Sequence, residues 1–178
     1  MLRRTNVTQV KPVFVNVIRH YPNVDSLARA SATHLHKLLR PLGLTWRAEN
    51  IRRMAKVLSA DFDLTIPRTY DELRQLPGVG DYVASAVCSF AYNMPVPIID
   101  SNTVRVVGRY FGIKTNAESR RSRSLREVIV AVTRRRNSRH YNYYFLDFAS
   151  VICKPINPQC RNCPLKSSCA FGITKLGD

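Results

Sequence analysis

The stretch YDELRQLPGVGDYVASAVCSF, residues 70–90, decides the fold. Tyr70 to Gln75 is helical in character, Tyr82 to Phe90 is an apolar helix, and Leu76-Pro77-Gly78-Val79-Gly80 joins them. Two glycines allow a tight turn, and their missing side chains let backbone N–H groups and the start of the next helix approach an anion. A DNA phosphate could be held there without any contact to a base. Leu76, Gly78, Val79 and Gly80 are therefore candidate DNA-binding residues. The same pentapeptide also suits an ordinary glycine-capped connection between two helices. Asp81 counts against phosphate binding unless its carboxylate points away from the strand.

Outward from the hairpin the pattern stays helical. Val13, Val17 and Ile18, then Leu35, Leu38 and Leu39, then Ile51, Met54, Ala55 and Leu58 recur at three-to-four spacing, as on amphipathic helices. Pro22, Pro41 and Pro67 punctuate them, and strand-like alternation is scarce, so the expected class is all-α. The Pro95-Val96-Pro97 stretch marks the expected boundary between an N-terminal helical half, 1–95, and a C-terminal half, 96–178, that ends in cysteines. Met1 opens into the first helix with no capping residue before it, as if an earlier segment were missing.

Composition narrows the partner. The 178 residues carry 28 Lys+Arg against 12 Asp+Glu, a formal charge of +16, while 45% hydrophobic residues suffice for a buried core. Such an excess suits a polyanion, nucleic acid first, although a basic ribosome-associated or membrane-surface protein has the same balance. No apolar run approaches the ~18 residues of a membrane span. No signal core follows Met1-Leu2-Arg3-Arg4, so the expected location is intracellular, in the cytoplasm or nucleoid. A reducing interior favours metal ligation over disulfides for clustered cysteines.

Two constellations carry chemistry. Cys153, Cys160, Cys163 and Cys169 form C-x6-C-x2-C-x5-C, four soft ligands in one short segment that could close around a cuboidal iron–sulfur cluster or a tetrahedral zinc. Zinc sites usually pair two C-x2-C knuckles, and only Cys160 and Cys163 are so paired. Cys88, on the apolar helix, reads as core. Asp100, in Ile98-Ile99-Asp100-Ser101-Asn102-Thr103, ends an apolar run where a helix begins. It suits an N-cap. The same geometry also suits a carboxylate placed to stabilise a developing sugar cation, and context decides between the two.

In this order and spacing, LPGVG at 76–80, IIDSNTVRVVGRYFG at 98–112, FLDFASVIC at 145–153 and the cysteine loop resemble the helix-hairpin-helix DNA glycosylases of the endonuclease III and adenine glycosylase superfamily. The likeness covers nearly the whole chain and is greatest to the archaeal-type thymine/uracil G-mismatch glycosylases, through MLRRT at 1–5, VGRYFG at 107–112 and Tyr82. It implies two helical subdomains, a helical barrel with the hairpin and a [4Fe-4S] cluster subdomain, with a DNA cleft between them. It implies a monomer acting on double-stranded DNA that carries a mismatched or damaged base. Asp100 becomes the catalytic carboxylate, and Tyr82 lines the pocket for the flipped base. In the bifunctional lyases of the superfamily a Lys stands at the position of Tyr82 and forms a Schiff base, so Tyr82 implies hydrolysis alone. Arg3 and Arg4 match the segment that contacts the orphaned partner base. The four cysteines become ligands of a [4Fe-4S] cluster. Arg120, Arg121, Arg123, Arg126 and Arg134 to Arg136 read instead as a solvated basic face.

The expected reaction is removal of T or U opposite G. Alternatives are adenine removal, an endonuclease III-like glycosylase/lyase for oxidised pyrimidines, and a truncated non-catalytic DNA-binding protein. Relatives extend further at the N-terminus, where a Glu proposed as the acid for adenine removal precedes the MLRRT-like segment. They also extend further at the C-terminus where they sense oxidised guanine. The first departure leaves a misassigned start, an impaired fragment or a reaction that manages without that acid; the second weighs against adenine.

Overall fold

The structure, a computed structural model, describes residues 7–43, 46–116, 118–133 and 138–177. Among these residues ten α-helices follow one another: α1 Val7–His20, α2 Val24–Ala28, α3 Ala32–Leu39, α4 Trp46–Asp61, α5 Tyr70–Gln75, α6 Asp81–Ala86, α7 Ser101–Phe111, α8 Arg123–Thr133, α9 Ser138–Val151 and α10 Ala170–Gly177. Among the described residues there is no strand, so the all-α expectation holds. No helix among them is long and apolar enough to cross a membrane.

The chain forms two compact units, Met1–Gly80 and Asp81–Asp178, which divide at the end of the hairpin. The Pro95-Val96-Pro97 stretch lies within the second unit, in the connection to α7. In the first unit the three-to-four spacing works as read: Val10, Val13 and Val17 of α1 pack with Leu35 and Leu39 of α3, Leu42 and Ala48. Ile18 departs from that face. It follows Val17 by one position, about 100° around the helix, and is 45% exposed. Thr69 caps α5 reciprocally with Glu72: the Glu72 N–H donates to Thr69 Oγ1 at 3.3 Å and the Thr69 N–H to Glu72 Oε2 at 3.3 Å.

The second unit is built on α7, α8 and α9. Val104 and Val107 meet Leu125 and Ile129, with Ile99 and Phe145 against them. The apolar helix after the hairpin does not run uniformly to Phe90, because α6 ends at Ala86 and Val87–Ala91 forms a π-helical turn. That turn buries Cys88, as read, and also Ser89, which sits 3.0 Å from Ser138 Oγ. Asn142 Nδ2 donates to both hydroxyls, at 2.8 and 3.0 Å, so the hydroxyls are satisfied inside the unit. On α8 and the turn before it, Arg121 and Arg123 pair with Glu118 and Glu127 at the surface, as a solvated basic face does.

Candidate functional site

The hairpin is local and belongs to the first unit. Leu73 and Leu76 are buried and anchor it. Gly78 has φ +80°, a left-handed conformation, and a Cβ there would come 3.1 Å from Asn50 Cβ on α4, so both backbone and packing require glycine. The Val79 N–H closes the turn on the Leu76 carbonyl at 3.1 Å. Gly78 and Gly80 are exposed, and their N–H groups meet no acceptor among the described residues.

Asp100 and Tyr82 lie in the second unit. Asp100 is the N-cap of α7: its Oδ1 accepts from the Asn102 and Thr103 N–H groups at 2.8 and 2.9 Å, while Thr103 Oγ1 accepts the Asp100 N–H at 2.9 Å. Its Oδ2 accepts from Asn102 Nδ2 at 2.9 Å. The cap thus holds the carboxylate in one orientation, and one oxygen is tied far less than the other. Tyr82, 46% exposed, feels this carboxylate: burial pushes its phenol above the ordinary tyrosine value, and the Asp100 charge adds to the shift. The phenol therefore stays protonated within electrostatic reach of the carboxylate.

Sequence reading missed the support behind Asp100. Asn102 Oδ1 accepts from Arg105 Nη2 at 3.1 Å, and that guanidinium also donates to the carbonyls of Ala149 at 2.8 Å and Cys153 at 2.9 Å. Burial pushes Arg105 down from its ordinary value. One turn on, Arg109 donates to the carbonyls of Lys154 at 2.6 Å and Pro155 at 2.9 Å and to Cys153 Sγ at 3.5 Å. The signal was available, since Asn102, Arg105 and Arg109 recur at helical spacing on the helix that Asp100 caps.

Cys153, Cys160, Cys163 and Cys169 form no disulfide. Cys153, Cys160, Cys163 and Cys169 line one cavity, walled by Val106, Phe148 and Phe171. The Gly172 N–H reaches Cys169 Sγ at 3.4 Å. Among the described residues no three ligand-type side chains gather closely enough for a single ion. Arg3 and Arg4 lie outside the described residues, as do Arg134 to Arg136.

A glycine hairpin, a tyrosine, a helix-capping carboxylate and a cysteine-lined cavity occur here in the order the sequence suggested. Residues 1–131 match the family described as HhH-GPD superfamily base excision DNA repair protein. The chain belongs to that superfamily. Two of its HhH-GPD relatives differ in name: a thymine-DNA glycosylase of Aeropyrum pernix is 35% identical over 96% of this chain and 78% of its own length. An adenine DNA glycosylase of Buchnera aphidicola is also 35% identical, over 95% of this chain and 48% of its own length. The chain thus spans about half the length of the adenine glycosylase and about three quarters of the thymine enzyme. A solved thermostable thymine-DNA glycosylase superposes with a TM-score of 0.89 at 28% identity, covering 97% of this chain and 80% of that one.

Proposed function

We propose that this HhH-GPD chain is a monofunctional DNA glycosylase that hydrolyses the bond between deoxyribose and a thymine or uracil mispaired with guanine, leaving an abasic site. The observation that carries the reading is the Asp100 carboxylate, fixed by capping bonds at the α7 N-terminus, with the Tyr82 phenol within its electrostatic reach. As the C–N bond lengthens, positive charge grows on the sugar, and a fixed anion there stabilises it without reorganising. Asp100 Oδ2, the less committed oxygen, also orients the attacking water. Water adds OH to C1′, the base leaves with the bonding electron pair, and a proton completes the free base. Tyr82 has no amine to form a Schiff base, so the strand stays intact until alkali cuts it.

The flipped base costs a few kcal/mol to extrude, least at a mismatch. The hairpin residues Leu76, Gly78, Val79 and Gly80 hold the DNA backbone, with the N–H groups of the two glycines as donors to phosphate. Arg3 and Arg4 keep their proposed role at the orphaned guanine. The working unit is a monomer on duplex DNA, at the nucleoid.

The cysteine cavity fits a [4Fe-4S] cluster: four cysteines that form no disulfide line one space, and the Gly172 N–H and the Arg109 guanidinium supply donors to sulfur that suit thiolate charge. Cys153, Cys160, Cys163 and Cys169 would hold it. When bound, the cluster supplies a rigid cross-link and electron-transfer capacity, neither of which enters hydrolysis. Arg105 and Arg109 tie α7 to the segment entering this cavity. Purification without air should give a brown protein absorbing near ~400 nm and carrying ~four irons; a colourless protein with stoichiometric zinc contradicts the assignment.

Adenine removal is the second reading, favoured by the equal identity of the Buchnera relative. A panel of T·G, U·G, A·8-oxoguanine and thymine glycol duplexes, with and without hot alkali, separates them. Alkali-dependent cutting of T·G and U·G alone is expected. Preference for A·8-oxoguanine, cutting without alkali, or binding with no cutting would each replace the proposal.

A further inference from the structure

We infer that Arg74 is a positioning residue for the hairpin, orienting the peptide between Val79 and Gly80 so that the Gly80 N–H is presented to a phosphate. The inference rests on the hairpin being the DNA-backbone seat proposed above. Arg74, at the end of α5, donates from Nη1 to the Val79 carbonyl oxygen at 2.7 Å. In a trans peptide the carbonyl of one residue and the N–H of the next point in opposite directions. Turning the Val79 carbonyl toward Arg74 therefore turns the Gly80 N–H away from it, and that N–H has no acceptor among the described residues.

The rest of the turn leaves this peptide to Arg74. Pro77 has no N–H, and the Val79 N–H is spent on the Leu76 carbonyl at 3.1 Å. Gly78 is seated on Asn50, which fixes the first half of the turn. The Val79–Gly80 peptide follows that seat, and unheld it could rotate by compensating changes of Val79 ψ and Gly80 φ, a freedom that glycine makes cheap. Arg74 removes that freedom before DNA arrives, and its charge lies on the carbonyl side of the peptide.

The test compares wild type, Arg74→Gln and Gly80→Ala, each as the full chain, by affinity for an undamaged duplex over a salt series. The amide resonance of Gly80 is followed without DNA in wild type and Arg74→Gln. A Cβ at Gly80 meets nothing within 4 Å in the protein, so Gly80→Ala folds normally and crowds only an approaching phosphate. Arg74→Gln should weaken binding roughly three- to tenfold, the loss expected for one modest hydrogen bond. The salt slope should stay as in wild type, and the Gly80 resonance should move. A slope shallower by about 0.9 with the Gly80 resonance unmoved would make Arg74 a direct phosphate contact and overturn the inference. Weak binding by Gly80→Ala with unchanged binding by Arg74→Gln also overturns it, leaving the hairpin reading intact. Wild-type affinity in Gly80→Ala sinks the hairpin reading itself.

Discussion

Replacing Asp100 separates its two roles, because Asn caps a helix nearly as well as Asp while carrying no charge. In Asp100→Ala the Asn102 and Thr103 N–H groups lose their acceptor, held at 2.8 and 2.9 Å in wild type, at a cost of about 1 kcal/mol. In Asp100→Asn one oxygen still serves both N–H groups. The new amide NH2 then faces Asn102 Nδ2, which donates to Oδ2 at 2.9 Å in wild type, and the lost bond costs about 1 kcal/mol. Asn102 cannot turn its amide freely to recover it, since its Oδ1 accepts from Arg105. Asp100→Asn should therefore melt only about 2–4 °C below wild type for a chain of this size, and Asp100→Ala, which loses both sets of bonds, about 4–8 °C below. Catalysis should not be spared in either. Loss of a fixed charge worth about 3–4 kcal/mol in the transition state slows single-turnover base release roughly 100- to 1,000-fold. The assay is single-turnover cleavage of a G·U duplex with enzyme in excess, beside duplex affinity and a thermal melt. Asp100→Asn cleaving within about threefold of wild type, while folded and bound, would refute the electrostatic role.

Other outcomes follow from the same geometry. Tyr82→Lys puts an amine where the phenol stands and should form a borohydride-trappable adduct with substrate DNA, where wild type forms none. Because burial and Asp100 raise the Tyr82 phenol, the rate profile should show no tyrosine limb below pH ~10. The folded state favours the protonated phenol, so its contribution to stability is present below that pH and is lost as pH climbs past it, where the unfolded chain ionises first; alkaline melts of Tyr82→Phe and wild type check this sign. Asn142→Ala removes the donor to Ser89 and Ser138 in a buried site and should cost about 2 kcal/mol, seen as a melting point roughly 4–8 °C lower.

Much of the fold was legible because its information is local. Spacing located α1, α3 and α4, the glycine pair located the turn, and an Asp before Ser-Asn-Thr located the start of α7. Asp100 is the instructive residue: the sequence offered cap or catalyst, the structure shows the cap, and under the proposed function the capping geometry is what aims the carboxylate. What stayed hidden depends on partners distant in sequence. Nothing in an apolar run distinguishes α from π winding at Val87–Ala91, because Ser89 meets Asn142 fifty-three positions away. Arg105 and Arg109 were readable as a polar stripe, whereas their acceptors, forty-four to forty-eight residues on, were not. Ile18 fell to the outside because helical spacing fixes a face only to within one residue.

The central claim is that this chain breaks a base–sugar bond and nothing else in the strand. Quantifying free thymine or uracil by mass spectrometry, alongside alkali-labile sites in the same G·T or G·U duplex, tests it most directly. The account predicts one free base per alkali-labile site, with the strand uncut before alkali. Strand breaks before alkali, or alkali-labile sites without released base, would contradict it.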